Sequence, residues 1–107
     1  MSQNTTNCTS LANLRTHGSS VNCPYTVLNL YYKHLRDAEA VEVADLLTQN
    51  KTITHVYLFN NNIGDTGATA LAEAFQVNST ITHVDLEDNN IGDTGATVLA
   101  VALDMGG

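Results

Sequence analysis

Two hydrophobic periods alternate along the second half of the chain. Val56 and Leu58, and again Val84 and Leu86, alternate with polar or aromatic residues, as a strand with one buried face does. Ala68, Leu71, Ala72 and Phe75 recur at helical spacing, as do Ala96, Leu99, Ala100 and Leu103. Asp65 and Asp93 stand just ahead of these runs, where an N-cap is expected and a negative charge suits a helix N-terminus. The pattern predicts strand, turn and helix, then the same again.

The two passages are copies. NKTITHVYLFNNNIGDTGATALAEAFQV is followed by NSTITHVDLEDNNIGDTGATVLAVALDM, and 28 residues separate Ile53 from Ile81. Stepping back by the same period uncovers a worn first copy, in which Tyr25, Leu28, Leu30, Leu35 and Asp37 fall under Ile53, Val56, Leu58, Ile63 and Asp65. Three units result, 22–49, 50–77 and 78–105. Neither the strand nor the helix of one unit can bury its apolar face alone, so the units must stack into a solenoid. The fold class expected is α/β, with parallel strands on the concave side and helices on the convex side. Gly64 and Gly92 are read as turn residues, and Gly67 and Gly95 as sites of close packing. Arg36 and Glu39 replace glycine in the first unit, so its turn is expected to differ.

The succession Ile53, Val56, Leu58, Asn61, Ile63, repeated as Ile81, Val84, Leu86, Asn89, Ile91 and followed each time by GDTGA and an Ala- and Leu-rich stretch, resembles ribonuclease-inhibitor-type leucine-rich repeats. The resemblance covers 22–105. Such repeats occur in ribonuclease inhibitor, in the tails of cytosolic nucleotide-binding immune receptors and in Ran GTPase-activating proteins, and short arrays of this kind are found in bacteria living inside amoebae. These proteins share an architecture and not a chemistry. The resemblance implies that Asn61 and Asn89 form a structural asparagine ladder, capping backbone groups between neighbouring turns. Lys33 holds that position in the first unit, so the ladder is expected to break there.

If Val56 and Leu58 point inward, their neighbours point outward and align across the concave sheet. Three columns follow: Val27, His55 and His83; Asn29, Tyr57 and Asp85; Tyr31, Phe59 and Glu87, edged by Tyr32, Asn60 and Asp88. The face grades from aromatic to acidic. Tyr31, Tyr57 and Phe59 are interface anchors by type, and Asp85, Glu87 and Asp88 would steer a basic segment. The partner-binding residues expected are therefore Tyr31, His55, Tyr57, Phe59, His83, Asp85 and Glu87. His55 and His83 beside Asp85 could hold zinc or repel one another when protonated. Duplication of the ITHV segment explains the pair without either, and no metal or cofactor is assigned.

Charge sharpens this picture. Net charge is -7, and the four basic residues Arg15, Lys33, Arg36 and Lys51 all lie in the first half. Phosphate neutralisation needs a basic stripe, which this chain lacks, so nucleic acid is not an expected partner. No apolar run approaches the roughly 18 residues that span a bilayer, and a membrane partner is not expected. Catalysis is not expected either. The serines and cysteines lie outside the predicted strands, GDTGAT lacks the lysine of a phosphate loop, and Asp85 and Glu87 stand on an open face.

The first twenty residues do not read as a secretory signal, so the expected location is cytoplasmic, with delivery into a host cell as a bacterial effector the alternative. Reduced thiols are then expected at Cys8 and Cys23 rather than a bridge. The sequons at Asn4, Asn7, Asn50 and Asn78 are accidents of an Asn- and Thr-rich composition on this reading. The stretch 1–21 is read as a disordered start, with a short capping helix over 9–15. The C-terminal end carries no polar capping unit. Self-association there, or continuation in a longer array, is the alternative to a partner-binding scaffold. The acids of the last strand disfavour its pairing with itself, so contact through the end face is the form expected.

Overall fold

The computed structural model describes residues 7–8 and 26–106, with 7–8 and 103–106 described by backbone alone. Its elements run β1 (Asn7–Cys8), β2 (Val27–Asn29), α1 (Asp37–Leu47), β3 (His55–Tyr57), α2 (Asp65–Val77), β4 (His83–Asp85) and α3 (Asp93–Gly106). The strands form one parallel sheet in chain order. Each helix packs on the helix of the next unit. This is the expected α/β solenoid. Among the described residues no helix is long and apolar enough to cross a membrane.

Register follows the repeat. His55 pairs with Val27 and His83, and Tyr57 with Asn29 and Asp85. The inward set Leu28, Leu30, Ile53, Val56, Leu58 and Ile63 is fully buried against Val43, Leu47, Ala68 and Leu71 of the helices. In the third unit the counterparts Ile81, Val84, Leu86 and Ile91 are only half-buried.

Asn7–Cys8 falls within the start expected to be disordered. It instead pairs with Val27 and Leu28, satisfying backbone groups that an open β2 edge would leave bare. The expected helix over 9–15 and the state of Cys23 lie outside the described residues.

The helix entries differ from expectation in an instructive way. Asp65 is the first residue of α2 rather than its cap, and Gly64 takes the cap position. The carboxylate of Asp65 reaches the next unit, where Oδ1 accepts the N–H of Gly92 at 2.7 Å and of Gly95 at 3.0 Å. Asp37 does the same for Gly64 at 2.7 Å and Gly67 at 3.1 Å. Each aspartate thus caps its neighbour's helix, staple-fashion. Asp65→Ala is expected to destabilise by about 1–2 kcal/mol, a lost charge-assisted cap, in urea unfolding.

The first unit enters its helix much as the second does, with Arg36 at φ -113° and Gly64 at φ -105°. Glu39 accepts the Arg36 N–H at 2.9 Å. Turn shape therefore does not require glycine at Gly64. The first unit departs instead at His34, whose φ is 57°.

Candidate binding face

The concave face is built by the outward residues of β2, β3 and β4 and by the turns that follow them. Backbone pairing continues past the strands, since Tyr32 N–H donates to Phe59 C=O and Asn60 N–H to Glu87 C=O. Tyr32, Asn60 and Asp88 then take φ of 58°, 60° and 58°, turning the chain toward the helix. Asn and Asp adopt this left-handed conformation readily, whereas Tyr32 does so at a cost.

Tyr31 and Phe59 stack with centroids 4.8 Å apart and planes within 7°. Tyr31 is 41% exposed and Tyr32, edge-on to it, 66%. Phe59 is half-buried by this stack rather than standing free. Glu87 continues the column on β4's side and is exposed, as is Asp88. Tyr57, His83, Val84, Asp85, Leu86 and Glu87 line a shallow depression at the acidic end.

His55 and His83 also stack, 4.3 Å apart and 4° from parallel. Lone pairs lie in the ring planes, so parallel rings do not converge on one ion. Among the described residues no group of three or more His, Cys, Asp or Glu is placed to hold a metal. Each ring is held through Nδ1, by Thr54 Oγ1 at 2.7 Å and Thr82 Oγ1 at 2.9 Å. Those hydroxyls also lie 3.2 Å from the carbonyls of Thr26 and Thr54. The face offers carboxylate acceptors at Asp85 and Glu87, while the chain has no Lys or Arg after Lys51.

The asparagines lie beneath this face. Asn61 Oδ1 accepts the N–H of Lys33 and of Leu35, both at 3.0 Å. Its Nδ2 donates to Leu30 C=O at 3.0 Å and Leu58 C=O at 2.9 Å. Asn89 repeats this toward Ile63, Leu58 and Leu86. The side chains reach backward, so Lys33 does not break the ladder between the first and second units: its own N–H is one of the groups bonded.

A second ladder escaped the sequence reading. Asn78 donates to Leu47 C=O and Asn50 C=O, both at 2.9 Å, and accepts from Thr80 and Ile81 N–H. Asn50 accepts from Thr52 and Ile53 N–H in the same way. Both are buried, so these sequons are structural positions in the folded chain. Their recurrence at the 28-residue period was the available signal.

A family model described as Leucine Rich repeat matches 49–72 and 77–100, within the second and third units. Among solved structures, leiomodin-1 actin-binding site 2 superposes with a TM-score of 0.66 at 16% identity, covering 94% of this chain and 80% of that one. No curated protein matches the chain. The repeats at those positions are leucine-rich repeats, and the fold is a leucine-rich-repeat solenoid.

Proposed function

We propose that the chain is a protein-binding scaffold of the ribonuclease-inhibitor type, presenting its concave aromatic-to-acidic face to a partner with a basic segment. The observation that carries this reading is the stacked Tyr31–Phe59 pair, with Tyr31 exposed, in the same column as the acidic Glu87. Flat aromatic area and the carboxylates of Asp85 and Glu87 suit a segment that contributes an apolar or planar group next to Lys or Arg. The leiomodin-1 neighbour is titled as an actin-binding site. At that identity the likeness bears on the scaffold, and the partner is argued from the side chains alone.

Capture from cytosolic extract tests it, using the native chain against a Tyr31→Ala, Phe59→Ala, Glu87→Ala triple variant matched for thermal stability. Retention by the native chain alone is expected, with affinity of the identified partner falling at least about a hundredfold in the variant. Equal retention by both would remove the concave face from consideration. A partner whose basic segment can be neutralised without loss would remove the electrostatic half of the reading.

A further inference from the structure

We infer that the groove between α1 and α2, on the convex side, is a second docking site that takes an amphipathic helix of another protein, with Lys or Arg on both flanks of its apolar stripe. The groove is lined at helical spacing by Val41 and Ala44 of α1 and by Ala70, Ala74 and Val77 of α2. Ala44 and Ala74 are buried and form a floor of methyl groups, whereas Val41 is 43% exposed and Val77 65%. The 28-residue period sets Val77 level with Gln49, eight residues past Val41. The two valines therefore stand about 12 Å apart along the helix axis, about two turns. Both leave apolar surface in water on the outside of the solenoid, and one helix laid along the groove covers both.

The occupant must bring its own backbone hydrogen bonds. Both walls are helices, whose N–H and C=O groups are spent within them, so no ladder is open to an added strand. A helix satisfies itself, and rows spaced by three and four residues on each wall suit its ridges.

Charge selects the flanks. Asp45 and Glu73 hold the same place in successive units, one on each wall, and both are exposed along the groove. Neither α1 nor α2 has a basic residue in its last turn, so the negative ends of both helix dipoles lie at the Val77 end without a cation of their own. Anionic lipid and acidic segments are repelled by this surface, and a cation on either side of an apolar stripe is matched by it. A second copy does not supply such a helix, because among the described residues no helix carries a Lys or Arg. The groove shares no residue with the concave face.

Fluorescence anisotropy of the full chain with a labelled peptide tests the proposal. The probe is about 15 residues long, where an isolated helix begins to hold, with Leu and Ala along one stripe and Lys on both flanks. Its twin carries Glu in place of Lys. The Lys peptide is expected to bind at least about tenfold tighter than the twin. Asp45→Lys with Glu73→Lys should reverse that order, which a misfolded variant could not do. Val41→Ser with Val77→Ser should weaken the Lys peptide at least about tenfold, as apolar surface returns to water. The Tyr31→Ala, Phe59→Ala, Glu87→Ala variant should bind it within about threefold of the native chain. Loss of binding in that variant would put the peptide on the concave face and overturn the groove, as would no saturation below about a millimolar. An order that the lysine pair does not reverse overturns the charge assignment, and a serine pair without effect overturns the apolar stripe. Because extract capture reads the concave face and the peptide reads the groove, the two readings fail separately.

Discussion

Asn61→Ala is expected to lower the unfolding free energy by about 3–5 kcal/mol while leaving every concave side chain in place. Asn61 is 6% exposed and satisfies Lys33 N–H, Leu35 N–H, Leu30 C=O and Leu58 C=O at 2.9–3.0 Å. Alanine strands two donors and leaves the two carbonyls with one bond fewer, inside a turn packed between units. Each orphaned buried group costs about 1–3 kcal/mol, and partial relaxation keeps the total below the sum. Asn89→Ala should cost about half as much, because Asn89 is half-buried and water can replace its bonds. Asn62→Ala, one position along and exposed, serves as the neutral comparison. Urea titration reads all three. A loss under about 1 kcal/mol at Asn61 would mean that packing alone joins the units. A stable Asn61→Ala chain that no longer binds a partner would instead break the separation between scaffold and face.

Periodicity carried most of the fold into view. Alternation located Val56 and Leu58, the 28-residue repeat set the columns, and the observed pairing of His55 with His83 and Tyr57 with Asp85 follows that register. Relations between units were harder to read, because a one-dimensional pattern shows which residues recur but not which unit they reach. Asp65 looked like the cap of its own helix, since position and charge fit. Only the stacking offset reveals that its carboxylate serves Gly92 and Gly95. The ladder at Lys33 was misjudged for the same reason: direction along the solenoid is a property of three dimensions. Asn50 and Asn78 were hidden by their sequon context, although buried amides recurring with the unit mark hydrogen-bonding positions as surely as Asn61 does. On the face, the stacking of Tyr31 on Phe59 was implicit in their shared column, whereas the tethering of both imidazoles by Thr54 and Thr82 depended on rotamers that no pattern records.

Gly67→Ala gives the second large effect, and its sign decides the matter. Intrinsic propensity alone favours alanine within a helix by roughly 1 kcal/mol, so a glycine with no special duty should be stabilised by the change. A Cβ at Gly67 would lie 2.8 Å from Ala40 Cβ, 2.8 Å from Asp37 Oδ1 and 2.9 Å from Ile63 Cγ2. Ala40 and Ile63 are fully buried, so neither can step aside without parting α1 from α2. Displacing Asp37 also loosens its bonds to Gly64 and Gly67. Overpacking and the weakened cap together are expected to cost about 3 kcal/mol. Gly64→Ala isolates the steric argument, because its Cβ would meet only the Asp37 carboxylate, at 3.4 Å, an ordinary contact, and the change should stay within about 1 kcal/mol of neutral. Gly95→Ala meets similar neighbours at 2.7–3.1 Å, yet Ile91 beside it is only half-buried where Ile63 is fully buried and has more room to shift, so its cost should fall between the other two. Thermal and urea unfolding of the three variants should therefore rank Gly67 above Gly95 above Gly64. Stabilisation at Gly67 would show that the units are free to shift apart by a few tenths of an ångström, and would make the solenoid a looser stack than its glycine and aspartate contacts imply.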